Sequence, residues 1–183
     1  IISTITNYNT GTLQKFDSVF RHSKITGLID DTDASILSNI TTLKIRKSFS
    51  PSIAASAAYN VYFRNALYNP HSGHNMASGG ILSSTGFKVT GSNEEMFLDD
   101  DGNGNVRRFF LVSGVKTYAN NTQGTIDYAT GQVTLNSLNI ASISNIRGAA
   151  STIIEITVVP ASNDVVPVRD QIVEIDVANS LIS

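Results

Sequence analysis

The sequence predicts a mainly β (α+β) protein, an antiparallel sandwich-like β domain with a short helical segment near the amino end. Three observations carry this. Several short stretches alternate apolar with polar residues, the period of half-buried strands. Clusters of Gly, Asn, Asp and Pro separate those stretches. Near the amino end, Leu13, Phe16, Val19 and Phe20 fall instead at spacings of three and four, the period of a helix. The clearest strand pair runs from Gln123 to Ile140, where Ile126 and Tyr128 alternate with Thr125 and Asp127, and Val133 and Leu135 with Gln132, Thr134 and Asn136. Gly131 can supply the positive φ that closes the turn between them. Matching of the apolar faces favours a four-residue loop with Tyr128 opposite Val133 and Ile126 opposite Leu135. A three-residue loop with a bulge at Gly131 would set Ile126 opposite Thr134.

In chain order, residues 1–11 read as a polar lead. A helix of about two to three turns follows over Leu13 to Phe20 with Thr12 as cap, and Ile25, Leu28 and Ile29 continue it after a break. Asp30, Asp31 and Asp33 form a turn-and-cap cluster. From Ile40 to Phe49 the period changes to two, with Leu43, Ile45 and Phe49 on one face and Lys44 and Arg46 on the other. Further strands are expected over Ala57 to Tyr68, Gly80 to Thr90, Glu94 to Leu98, Val106 to Val112, Val115 to Tyr118, Ile154 to Val158 and Val173 to Val177. Ile140 to Ala150 reads as a linker, and Pro160 to Gln171, with two prolines, as a shaped loop on a sheet edge. The division expected is 1–39 for the lead and helical segment and 40–183 for the β domain.

A chain of 183 residues can bury roughly two-thirds of its unfolded surface without a staple. It has no cysteine, so disulfides, thiolate metal sites and thiol nucleophiles are excluded. Charged residues make up 15%, below the roughly 25% of average domains. A net charge of −2 gives no field to steer an anionic partner, so neither nucleic acid nor an acidic membrane is an expected partner. No apolar run approaches the roughly 18–20 residues of a membrane span, and no secretory leader is recognisable. The opening Ile and closing LIS read as ends cut inside a longer chain.

The most site-like stretch is Leu98 to Val106. Asp99, Asp101, Asn103 and Gly104 occupy positions one, three, five and six of a calcium loop. Position twelve, which needs a bidentate Glu, is Phe110, and strands rather than helices flank the loop. The stretch therefore reads first as a turn between strands. Its functional alternative is a calcium-dependent β-rich binding module using the Asp99–Asn105 loop. His71 and His74 have a spacing that a metal site can use, but no Cys, Asp or Glu stands beside them, and they read as unliganded. Lys44, Arg46 and Lys47 read as a solvated or edge-protecting face. Tyr62, Arg64 and Tyr68 are the only cluster with hot-spot composition. Asp127 and Glu174 are an acid pair in name only, sitting on polar strand faces. No catalytic, cofactor or metal residues are assigned, and no small-molecule substrate is expected.

Four stretches, in this order, resemble one family. Phe16–Lys24 (FDSVFRHSK) runs into Ile29–Asn39 (IDDTDASILSN), and Phe63–Pro70 (FRNALYNP), Leu98–Asn105 (LDDDGNGN) and Gly124–Gly131 (GTIDYATG) follow. Together they are similar to the carboxyl-terminal half of the baseplate wedge subunit of T-even contractile-tail phages, the protein of the inner baseplate ring. The resemblance implies a structural, non-enzymatic virion protein of the tail baseplate, assembled in the host cytoplasm. Its implied partners are copies of itself, as a homodimer or ring, and other baseplate wedge proteins, and the ring would rearrange when the tail contracts. The amino-terminal portion of that subunit would be absent from this chain.

Overall fold

A computed structural model describes residues 1–74, 80–168 and 171–181. The chain folds as two compact units, one formed by Ile1–Leu43 with Ser162–Ser183 and the other by Lys44–Ala161.

In the first unit, helix α1 (Ile2–Tyr8) runs into a π-helical turn (Asn9–Leu13), and α2 spans His22–Asp30. Helix therefore occupies the expected polar lead, while the stretch read as helical from Leu13 to Phe20 is not helical after Leu13. The reason is that its apolar residues serve different neighbours. Leu13 is fully buried, Phe16 is exposed, and Phe20 is extended in a β-bridge with Val165. Phe20 N–H donates to the Val165 carbonyl at 2.9 Å, and its ring meets Tyr8 edge-on. No residue of its own sequence neighbourhood caps α2. Instead Asp164 Oδ1, from the carboxyl-terminal segment, accepts from His22 N–H at 2.9 Å, satisfying a first-turn donor. Asp33 caps only the Ser35 N–H, and Asp30 accepts from the Asn39 side chain.

The strand expected over Val173 to Val177 is not formed. Residues 171–176 are irregular, and Val177–Asn179 is a single 3-10 turn. The partner at its centre is a side chain: Asn9 Oδ1 accepts from Ile175 N–H at 2.7 Å, and Asn9 Nδ2 donates to the Ile175 carbonyl at 3.3 Å. A buried amide satisfies both backbone groups of one residue, as a neighbouring strand would, but cannot extend a ladder.

The second unit holds β1 (Ile45–Phe49), β2 (Ser56–Tyr62), β3 (Ser83–Ser84), β4 (Phe87–Val89), β5 (Phe97–Asp100), β6 (Asn105–Val112), β7 (Val115–Asp127), β8 (Gln132–Ile143) and β9 (Ile154–Val158). One sheet has the order β1-β9-β3 and the other β2-β8-β7-β6-β5, with β4 pairing β8. Every strand pair among the described residues is antiparallel. A single apolar cluster draws on both sheets, including Ile154, Ile156 and Val158 of β9 and Val61, Val133 and Leu135 of the larger sheet. This is the sandwich-like β domain expected from the alternating stretches.

Several boundaries differ from the expected ones. The Ala57 to Tyr68 stretch leaves the sheet after Tyr62, since Arg64 takes a φ of 56° that no strand accommodates. Gly80 to Thr90 splits at Thr85-Gly86, and its two pieces serve different sheets, β3 pairing β9 and β4 pairing β8. The expected linker after Ile140 begins as strand, because β8 continues to Ile143 against β4. In the loop from Pro160 to Gln171, residues 169 and 170 lie outside the described ones.

The β7–β8 hairpin has a four-residue loop, but neither expected register. Ile126 faces Val133 and Asp127 faces Gln132, so Tyr128 stands off the ladder. Asp127 closes the loop on itself. Its Oδ1 accepts from Ala129 and Thr130 N–H, its Oδ2 accepts from Thr130 Oγ1, and its carbonyl accepts from Gly131 N–H at 2.8 Å. The irregular segment after β2 wraps this loop, with Phe63 N–H donating to the Gly131 carbonyl and Leu67 N–H to the Tyr128 carbonyl. Gly131 has a φ of 71°, and a Cβ there would collide with the Asn65 carbonyl oxygen. Gly131→Ala should therefore lower unfolding stability by about 2 kcal/mol or more, measured by urea denaturation, since strain and steric conflict act together.

Candidate functional site

The acidic stretch read as a possible calcium loop is a β-hairpin. Phe97 to Asp100 pair with Phe109 to Val106, and Asp101 to Gly104 make the turn, with Gly102 and Gly104 at φ of 74° and 96°. Asp101 organises the turn: its Oδ1 accepts from Asn103 and Asn105 N–H, and its Oδ2 from Asn105 Nδ2 at 2.7 Å. Burial acts to raise its pKa, but these hydrogen bonds, with the charge of Arg107, outweigh it and hold the carboxyl below its ordinary range.

Asp99 and Asp100 are buried, at 2% and 0% exposure. As neighbours on a strand they leave it on opposite faces. Asp99 directly opposes Arg107, whose Nε donates to Oδ1 at 3.0 Å. On Oδ2 it accepts from Lys116 Nζ at 2.8 Å and Tyr118 Oη at 2.9 Å. The Arg107 guanidinium also lies 4.2 Å from the centre of the Tyr118 ring and donates to the Asp100 carbonyl. On the other face Asp100 is held by neutral donors: Oδ1 accepts from Leu82 N–H at 2.9 Å and Oδ2 from Tyr128 Oη at 2.6 Å. Its carboxylate occupies the space that a Cβ on Gly80 would need. Tyr128 leaves the β7–β8 ladder to make this bond, which is why face matching alone assigns the wrong register.

The hairpin already engages the carboxylates that the calcium alternative would use. Position one of the loop is neutralised by Arg107 and Lys116, and position three is bound by its own turn. Among the described residues no three His, Asp or Glu side chains come together as a metal site. The reading of a turn between strands is the one the structure bears out.

Other sequence candidates are placed as follows. Both oxygens of Asp127 serve its turn, while Glu174, in the other unit, accepts from Gln14 Nε2 at 3.3 Å. Arg46 is not merely solvated. It approaches Glu155 at 3.4 Å, where Arg147 makes a two-pronged pair at 2.9 Å on each oxygen. Lys47 is part-buried, and burial followed by the nearby Arg64 charge lowers its pKa. Tyr62 and Tyr68 are exposed, but β2 ends at Tyr62, so they and Arg64 do not share a strand face. Asn69, Ser72, the Gly102–Gly104 turn and Tyr128 border a shallow cleft of about 510 Å³, where the described lining residues pair no nucleophile with a base. Sequence reasoning missed the Glu155–Arg147 pair and the partners of Asp99, because a carboxylate and an arginine eight residues apart carry no local signal.

Replacing Asp99 with Asn leaves Arg107 buried without its counter-charge, and should cost about 3–5 kcal/mol of stability in denaturant titration. The loss should be the same in calcium and in chelator. The tyrosines give a second test. Burial, then the hydrogen bond to Asp99 and its charge, push the Tyr118 phenol up to about 12, and burial with the Asp100 hydrogen bond raises Tyr128 as well. Because these folded-state values lie above the ordinary value of about 10, the associated stability is intact below that pH and disappears as pH rises through about 12. Ultraviolet titration should find phenols that ionise only with unfolding, and Tyr128→Phe should diminish that fraction.

Residues 1–48 match the family described as baseplate structural protein gp6, C-terminal domain III. The match includes the first stretch of the resemblance, Phe16 to Asn39, and the three later stretches lie beyond it. No curated protein matches the chain. The family match supports a T4-like baseplate protein and a structural role.

Proposed function

We propose that this chain is part of a structural subunit of a contractile phage tail baseplate, acting through its surfaces in the virion rather than by catalysis. The observation that carries the reading is the match of residues 1–48 to the gp6 C-terminal domain III family. The proposed partners are other copies of the chain, as a dimer or ring, and neighbouring baseplate wedge proteins.

The matched segment also exposes apolar side chains that a solitary protein gains nothing by exposing. Leu37 and Ile40 are 94% and 98% exposed, and Phe16 is 75% exposed. Burial of such residues between chains is the ordinary source of association energy, about 25 cal/mol per Å² of apolar surface. Sedimentation velocity over a range of concentrations tests the self-association. The wild-type chain should sediment faster as concentration rises, and a Leu37→Asp, Ile40→Asp double variant should remain monomeric with an unchanged melting temperature. A wild type that is monomeric throughout, or a double variant that associates equally, would sink this part of the reading.

A further inference from the structure

The two histidines of the loop after Leu67 come together in a way that their spacing alone does not reveal. His71 Nε2 and His74 Nδ1 are 3.0 Å apart, both side chains are exposed, and the rings meet nearly at right angles. The other nitrogen of His71, Nδ1, lies 3.2 Å from the Ser72 carbonyl oxygen. A carbonyl can only accept, so this contact places the proton of neutral His71 on Nδ1 and leaves a lone pair on Nε2, toward His74. The same partnership, one ring nitrogen on a backbone carbonyl and the other free, orients metal-ligating histidines generally.

The loop is also held. His74 N–H donates to the His71 carbonyl, Gly73 N–H to the Gly102 carbonyl at 3.1 Å, Ser72 Oγ to Asn103 Oδ1, and Asn69 Nδ2 to Gly102 O. The Tyr68 ring packs edge-on against His74. The two nitrogens are thus presented by a loop tied to the Asp101–Gly104 turn.

We propose that His71 Nε2 and His74 Nδ1 form a two-imidazole chelate for a divalent first-row transition ion such as nickel, copper or zinc, with water in the remaining positions. The proton that His74 Nδ1 shares with His71 moves to His74 Nε2 as the ion takes its place. With metal–nitrogen bonds of about 2.0–2.1 Å, two ligating nitrogens stand about 2.9 Å apart at a right angle and about 3.3 Å apart at the tetrahedral angle. The 3.0 Å separation found suits the right-angled geometry of nickel or copper as it stands, and zinc after a small opening. Two neutral imidazoles without a carboxylate favour these ions over calcium or magnesium. Hence the site is distinct from the Asp99–Asn105 hairpin read from the sequence as a calcium loop.

The test is calorimetric titration of nickel into the untagged 183-residue chain, alongside His71→Ala, His74→Ala and, as a control, His22→Ala, the remaining histidine. The expected result is one saturable site per chain, reversed by EDTA, retained in His22→Ala, and weakened roughly ten- to a hundredfold in either loop variant. Circular dichroism of the metal-free variants should match wild type, because both side chains are exposed. Should a loop variant misfold, His74→Gln, which keeps a polar side chain of similar length, takes its place. Absence of saturable binding, or binding lost with His22 and not with His71 or His74, would overturn the proposal and leave the pair as two imidazoles sharing a proton.

Discussion

Two adjacent carboxylates, Asp99 and Asp100, leave β5 in opposite directions, and each is held by groups from other parts of the β unit. On one face Asp99 gathers Arg107 from β6 and Lys116 and Tyr118 from β7. On the other, Asp100 takes the Leu82 N–H and the Tyr128 hydroxyl. Burying either group without such partners would cost several kcal/mol, so the surrounding segments must be in place together. This couples the β5–β6 hairpin, the approach to β3 and the β7–β8 turn into one arrangement. Gly80 belongs to it too, because any side chain there would displace the Asp100 carboxylate.

The same logic recurs elsewhere at smaller scale. Glu155, the second residue of β9, is closed over by Arg147 and Arg46, which allows a buried strand to carry a charge. Asp164 caps a helix that lies far from it in sequence, and Asn9 stands in for a strand beside Ile175. Apolar burial supplies the bulk of the driving force in each unit, while these polar contacts fix which segments are neighbours. In the β unit the cations Arg46, Arg107, Lys116 and Arg147 are engaged by the unit's own buried carboxylates.

The family match of residues 1–48 supports a structural baseplate role. The matched stretch includes both helices of the first unit and most of β1, and it carries the exposed Leu37 and Ile40. The β6–β7 hairpin adds further exposed apolar residues, Leu111, Val112 and Val115, around a two-residue turn in which Ser113 and Gly114 both have positive φ. That turn type matches the twist of the flanking strands.

The sequence by itself determined the class of fold and most strand positions, because period-two burial is local and any sheet that buries one face imposes it. Ile154, Ile156 and Val158 are fully buried as their alternation required. It also determined that Asp101 to Gly104 make a turn, since Gly and Asn tolerate positive φ and Asp can bind its own backbone. Only the tertiary structure decided the rest. Val173 to Val177 alternates as a strand does, yet its nearest partner is the Asn9 side chain, which offers no ladder. Leu13 to Phe20 has helical spacing, yet Phe20 is drawn into a bridge with Val165 from the far end of the chain. The hairpin register turned on Tyr128, whose hydroxyl is claimed by Asp100. Each of these outcomes depends on a group distant in sequence, and periodicity holds no information about which distant group will arrive.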